Sequence, residues 1–196
     1  LNAAGINATF FVTGMYLLSP FLERRRIYKA SKFKSCTGTL YNCIYSQAAQ
    51  LKATMAAGHQ IGSHTWDHQN LGSKSAADVK AEMTKLETAF ANILGVKSTY
   101  MRPPSGDSGG QTVSVMQQLG YRIVKWDIDS EDWNKKTPAQ SEAKFTAAGS
   151  GSHIPCTPFL SRRLCPLRGL GAVSGARAII CGLLNQLPST GSASSN

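Results

Sequence analysis

Acidic residues are scarce in this chain, and they are missing altogether from residues 154–196. The 196 residues carry 11 acidic side chains against 21 lysines and arginines, a net charge of +10. No apolar run approaches the ~20 residues that cross a bilayer, so no membrane span is expected. No CxxC pair occurs among the five cysteines, which argues against a zinc site built from cysteine. The opening LNAAGINATFFV has neither a basic start nor an initiating Met, so it does not read as a signal peptide and looks cut from a longer protein. With 42% hydrophobic residues, the chain can still build a core, and disorder throughout is excluded.

The positive charge is local. Residues 15–38 hold six lysines and arginines against Glu23 alone, a net of +5, and residues 154–196 add four arginines. The remainder is nearly neutral at +1. A nucleic-acid interface spread over the domain is therefore not expected. Four of the five cysteines (Cys36, Cys156, Cys165 and Cys181) fall in these same two segments, and only Cys43 lies in the neutral part.

The neutral part alternates two periodicities. INATFFVT (6–13) is β-branched and aromatic, as a strand requires. Residues 46–57 fit a helix capped by Ser46, with Ala48, Leu51 and Met55 on one face and Gly58 at its end. HQIGSH (59–64) reads as a short strand. A second helix fits 75–94: Ser75 and Asp78 start it, Val79, Met83, Leu86, Phe90 and Ile93 recur at spacings of three and four, and Gly95 ends it. STYM (98–101) is a strand, 110–119 a helix closed by Gly120, and YRIVKWDI (121–128) the strongest strand. Thr137 and Pro138 open a helix running to about Ala148. This β-α-β-α order predicts an α/β fold with a parallel sheet, either part of a (β/α) barrel or a small open sheet. Residues 15–38 far exceed a βα loop of ~2–6 residues. They read as a poorly folded insert, and 154–196 as a disordered tail.

Polar clusters follow three of the strands. His64 and His68 follow HQIGS, Arg102 follows STYM in RPPSG, and Asp129 and Asp132 follow YRIVKWDI in DSEDW. Parallel α/β folds gather ligands and catalysis at the C-terminal strand ends, so these clusters can meet at one mouth. Histidines four apart share a face of a helical turn and can hold one Zn²⁺. Taken alone, the pair reads equally as two structural histidines. Asp67, next to His68, is poorly placed as a third ligand. Pro103 and Pro104 stiffen the backbone beside Arg102, which could then orient a carboxylate through paired hydrogen bonds; a stiff loop bearing a surface arginine is the plainer alternative. DSEDW is an acidic helix start or a set of working carboxylates, and Trp133 is either core or a wall against a sugar ring.

Taken together, TFFVTG (9–14), YNCIYS (41–46), AAGHQIGSHTWDH (56–68), RPPSG (102–106) and WDIDSEDW (126–133) resemble the polysaccharide deacetylases of the NodB homology type, above all the fungal chitin deacetylases. The resemblance covers residues 1–14 and roughly 39–153. It implies a partial, distorted (β/α) barrel and a metal-dependent hydrolase, secreted or in the cell wall, that removes N-acetyl groups from chitin or a related polysaccharide; xylan and peptidoglycan are the alternative substrates. It makes His64 and His68 ligands of a divalent metal, most readily Zn²⁺. It gives Arg102 the orienting of an aspartate base, and Ser105 a backbone N–H for the oxyanion, at a position where the family often has Tyr. Asp132 and Trp133 become the pair beside the catalytic acid. The family's third metal ligand and base lie in a TFDDG-like motif ahead of the first strand, outside these 196 residues. Its acid is a histidine in a late Leu-x-His motif; GSHIP (151–155) resembles the approach to it, but no histidine follows His153, which sits too early for that role. A translated intron at 15–38 and a frame shift after Pro155 would produce these breaks. The expectation is a deacetylase-derived chain with little activity as it stands. A non-catalytic sugar-binding remnant using Trp66 and Trp133 is the competing reading.

Overall fold

The computed structural model describes residues 7–17, 41–131, 134, 136–146, 153–156 and 177–181. Strand β1 (Ala8–Val12) forms from the β-branched and aromatic run ATFFV, and three of its last four residues (Phe10, Phe11, Val12) are at most 4% exposed. Such burial suits a strand covered on both faces of a parallel sheet. It pairs in parallel with β4 (Gln60–Ser63) on one side and β8 (Arg177–Cys181) on the other. Strands β5 (Tyr100–Met101) and β6 (Arg122–Ile123) extend the sheet beyond β4, and β7 (His153–Cys156) extends it beyond β8. The order is β6-β5-β4-β1-β8-β7, with every pair parallel. The described strands thus make an open α/β sheet, as an incomplete (β/α) barrel does. Gly62 lets the sheet close over Phe11: a Cβ there would lie 2.5 Å from the Phe11 ring.

Among the described residues four α-helices accompany the strands: α1 (Ala48–Ala56), α2 (Ala76–Leu94), α3 (Thr112–Leu119) and α4 (Pro138–Thr146). Helix α2 carries the expected apolar stripe, and Val79, Met83, Leu86, Phe90 and Ile93 are all buried. The Ser75 hydroxyl accepts from Asp78 N–H at its start, and Gly95 ends it at φ 70°. Helix α4 opens with a reciprocal cap, in which Gln140 N–H donates to Thr137 Oγ1 and Thr137 N–H donates to Gln140 Oε1. One core (Phe10, Val12, Ile44, Leu51, Leu86, Phe90) lies where β1, α1 and α2 meet. A second joins Leu71, Val79, Met83, Met101, Val115 and Met116 where α2, α3 and β5 meet. Among the described residues no helix is long and apolar enough to cross a membrane.

Several elements depart from the sequence expectations. Ser46 does not cap α1. Its hydroxyl donates to the Cys43 carbonyl, a 3-10 turn over Ile44–Gln47 precedes the helix, and Met55 is 38% exposed. YRIVKWDI supplies only the two residues of β6 to the ladder, although Val124 N–H still reaches Met101 O. The first residues of the 15–38 segment are ordered: β2 (Met15–Leu17) pairs antiparallel with β3 (Tyr41–Cys43), Met15 opposite Cys43 and Leu17 opposite Tyr41. Leu17 and Tyr41, which flank residues 18–40, are therefore neighbours across a strand pair, and 18–40 lie outside the described set. Within 154–196, expected as a disordered tail, β8 takes a place inside the sheet beside β1. Its sequence RAIIC contains the apolar, β-branched run that a parallel strand favours.

Candidate functional site

The site begins where β4 ends. His64 N–H donates to Val12 O, continuing the β1–β4 ladder by one residue, and the side chain is 4% exposed. Its Nδ1 stands 2.6 Å from the carbonyl oxygen of Arg102. A carbonyl only accepts, so Nδ1 carries the hydrogen and Nε2 keeps its lone pair. Burial holds the imidazole well below its usual pKa; the neighbouring His68 and Arg102 charges lower it further, and the carbonyl contact only partly offsets them. His64 is thus neutral near pH 7, the form that binds a metal.

The path from His64 to His68 is a loop, not the helical turn that the spacing predicts. Thr65 and His68 both lie in the left-handed region, at φ 70° and 60°. Such values are costly for non-glycine residues and need surrounding contacts to hold them. His68 N–H donates to Thr65 Oγ1. The N–H groups of Trp66 and Asp67 both donate to Oε2 of Glu82, at 3.1 and 3.0 Å. The loop brings the two imidazole rings to 4.8 Å between centroids, edge to face at 75°. Trp66 turns inward over Gly14, where a Cβ would approach its Cε3 to 2.1 Å. At 6% exposure this tryptophan is core, which removes it as a sugar platform. Asp67 Oδ2 accepts from Gln69 Nε2, and the Asp67 carboxylate acts on the Glu82 carboxyl by charge and by hydrogen bonding.

Arg102 is tied to the same loop at two backbone points. Its N–H donates to Ser63 O at 2.9 Å, and its carbonyl receives the His64 hydrogen bond. The residue is 8% exposed, and its guanidinium carbon lies 4.1 Å above the centroid of the Trp126 ring. Trp126 comes just after β6, so the ends of β4, β5 and β6 meet here. Gly106, at φ 70°, makes room for this stack: a Cβ there would lie 2.6 Å from Trp126 Cη2. Ser105, in the 3-10 turn Pro104–Gly106, is exposed and also left-handed, at φ 56°. Asp132 and Trp133 lie outside the described residues; before them, Asp129 Oδ1 accepts from Glu131 N–H.

The structure therefore brings His64, His68 and Arg102 together, with Ser105 two prolines further on. Two residues of this site carry no role in the motif reading. Trp126 was legible only as an aromatic near a strand end. Glu82 had a clearer signal: it sits three residues after Val79 and four before Leu86, on the apolar face of α2, where a carboxylate needs a reason. It is 6% exposed, and burial followed by the Asp67 charge pushes its carboxyl up to about 7.

The donor set suits a divalent transition metal. Two imidazoles meet edge to face, and the one at position 64 has its tautomer fixed by a carbonyl, the arrangement that orients metal-bound histidine. Among the described residues no group of three His, Cys, Asp or Glu side chains gathers.

A sequence profile described as polysaccharide deacetylase matches residues 1–124. A chitin deacetylase of Pestalotiopsis sp. is 34% identical over 133 residues, 68% of this chain and 37% of that protein. A peptidoglycan-N-acetylglucosamine deacetylase of Listeria monocytogenes is 29% identical over 126 residues, 64% of this chain and 26% of that protein. The chain thus spans well under half the length of these relatives. In fold it is similar to a peptidoglycan deacetylase of Bacillus subtilis, with a TM-score of 0.68 at 20% identity, covering 92% of this chain and 76% of that one.

Proposed function

This chain belongs to the polysaccharide deacetylase family, and from that premise we propose that its site serves removal of the N-acetyl group from an N-acetylglucosamine polymer, chitin or peptidoglycan, with a divalent metal at His64 and His68. The observation that carries the proposal is the hydrogen bond from His64 Nδ1 to Arg102 O, which leaves Nε2 deprotonated and aimed by a rigid backbone. Two imidazoles favour Zn²⁺ among the available divalent ions. When bound, such an ion supplies Lewis-acid polarisation of an amide carbonyl and a more acidic water.

The chain's own residues supply position and charge. Arg102, stacked on Trp126 and fixed at both backbone ends, holds a guanidinium in place to orient a carboxylate by paired hydrogen bonds. The left-handed turn at Ser105 exposes backbone near the strand ends, which supports an N–H donor to the developing oxyanion. Asp132 and Trp133 are assigned, by their match to the family motif, to tuning the acid and walling the acetyl pocket. Of the family motifs, those that carry the aspartate base and the late histidine acid have no match among residues 1–196, where the metal proposal rests on His64 and His68. Loss of a base or acid costs roughly 10²–10⁴-fold. The 196-residue polypeptide by itself should therefore turn over very slowly. The disulfide at Cys43 supports an oxidising, extracytoplasmic location.

The test measures acetate released from chitin oligomers and from peptidoglycan fragments with added Zn²⁺. It compares the 196-residue polypeptide with a version extended at both ends by the genomic reading frames that restore the base and acid motifs, each with and without His64→Ala. The extended protein should release acetate in a chelator-sensitive way that His64→Ala abolishes. Release that is indifferent to both chelator and His64→Ala would remove the proposal, and turnover by the 196 residues equal to the extended protein would remove the statement about activity.

A further inference from the structure

Glu82 is a carboxylate in the apolar stripe of α2, and its packing position does not account for it. Its neighbours on that face, Val79, Met83 and Leu86, are each 0% exposed, and Glu82 itself is 6% exposed. An apolar residue would satisfy the packing without the desolvation that a buried carboxyl carries. What Glu82 contributes is an acceptor: a single oxygen, Oε2, takes the N–H groups of Trp66 and Asp67. Those are two of the three residues between His64 and His68. Without an acceptor these two consecutive donors would point into the interior of the domain, Trp66 being buried.

The backbone they belong to is in an unfavourable conformation. Thr65 and His68 bracket the two bonded residues, both at positive φ. In a helical turn, N–H groups are directed along the axis to carbonyls of the preceding turn. Here two successive N–H groups converge on one carboxylate oxygen, and that convergence specifies the loop against the turn that HxxxH would otherwise form. Further bonds hold the same bend: His68 N–H donates to Thr65 Oγ1, and the Thr65 and Trp66 carbonyls accept from Gly14 N–H and Met15 N–H, so Glu82 is the acceptor for its donors while the strand side takes its carbonyls.

We propose that Glu82 is the positioning residue of the histidine pair: through Trp66 and Asp67 it holds the loop that sets the His68 ring against His64. The inference rests on the metal reading of that pair for its consequence, and on the loop geometry alone for its structural part. Outer-shell partners of metal-bound histidines change affinity by roughly 10–100-fold when removed. Glu82 acts one step further out, through backbone rather than through the ring, and the lower end of that range applies.

The experiment uses the full 196-residue chain with Co²⁺ as the probe. Glu82→Met keeps the side-chain volume on an apolar face and removes the acceptor; Glu82→Gln keeps an oxygen for both N–H groups. Co²⁺ affinity is read by titration of the visible d–d absorption. In the metal-free protein, amide exchange of Trp66 and Asp67 and the cross-relaxation between the His64 and His68 rings are read by NMR. Glu82→Met should weaken Co²⁺ about 10-fold, shift its absorption, release both amides to fast exchange and weaken the ring contact. Glu82→Gln should restore all four to within about threefold. A Glu82→Met protein with wild-type amide protection and wild-type ring contact overturns the proposal, whatever its Co²⁺ affinity. His64→Ala separates the two readings: if it leaves Co²⁺ binding unchanged, the metal reading fails and the metal-free data still decide on Glu82. Should Glu82→Met not fold, Glu82→Gln decides alone, by keeping both amides protected or by losing them.

Discussion

His64 Nδ1 donates to the backbone carbonyl of Arg102 across 2.6 Å, joining the residue after β4 to the residue after β5. One bond thereby ties a candidate metal ligand to the backbone of the residue whose guanidinium stacks on Trp126. Arg102 N–H is simultaneously fixed to Ser63 O. The pair is a rigid unit, and its protonation state has consequences for stability.

Folding suppresses protonation of His64, because burial holds its pKa well below the ordinary 6.5. The unfolded chain then binds more protons than the native one just below pH 6.5, so stability falls as pH drops from that value. His64→Asn keeps an N–H donor for Arg102 O and cannot titrate. The stability difference between wild type and His64→Asn should therefore move against the wild type between pH 7.5 and 5, measured by urea unfolding. A difference that stays constant with pH would contradict the assignment of a depressed imidazole.

Glu82 works in the opposite direction. Its folded-state pKa of about 7 lies above the ordinary 4.5, so the native state binds the extra proton between those values. The stabilisation is complete below about pH 4.5 and is lost as pH rises through about 7. Relative to Glu82→Gln, wild type should lose roughly 1–3 kcal/mol across that window. Parallel unfolding midpoints for the two proteins from pH 4.5 to 7.5 would show that Glu82 does not titrate as described.

Gly106→Ala tests the floor under Arg102. A Cβ there meets Trp126 Cη2 at 2.6 Å, and φ is 70°, so both the ring and the backbone resist it. The clash alone costs about 1–3 kcal/mol. Because Trp126 is the surface on which the guanidinium rests, Trp126→Ala should give much of the same loss, and Gly106→Ala should cost little more on top of it. Additive losses in a double-mutant cycle would show that the glycine and the stack are independent.

Elements set by local pattern were legible in the sequence. The α2 stripe, its Ser75 and Gly95 caps, and strand β1 follow from periodicity and capping chemistry, and the meeting of the His64–His68 and Arg102 clusters follows from the alternating β-α order. What was not legible depended on tertiary contacts. YRIVKWDI has strand composition throughout, yet the sheet takes only Arg122 and Ile123, and Trp126 beyond them stacks on Arg102. HTWDH has helical spacing, but Glu82, fourteen residues after His68, and the N–H groups of Gly14 and Met15 bond its backbone as a loop. Residue types four apart cannot report an acceptor that arrives from another helix. β8 was hidden for a different reason: a basic, cysteine- and proline-containing neighbourhood masked the short run RAIIC.

The strand pair β2–β3 makes the 15–38 interruption testable as an appendage. Leu17 lies opposite Tyr41, and Ile44 N–H donates to Gly14 O just inside the pair, so the domain side of the junction is closed by hydrogen bonds. A strand pair in that register can be joined by a two-residue turn, for which Asn-Gly is the favoured sequence. Replacing residues 18–40 by Asn-Gly should therefore leave β1, α1 and the histidine loop in place. It also shortens the β2–β3 connection to two residues; the cost of closing a flexible connection rises by only ~0.6 kcal/mol per doubling of length, so a modest gain in stability is expected. Under reducing conditions, which remove any contribution from the Cys43 disulfide in both proteins, the shortened chain should unfold cooperatively at an equal or higher temperature. It should also keep amide protection at Trp66 and Asp67. Loss of cooperative unfolding would show that residues 18–40 are integral to the domain and not inserted into it.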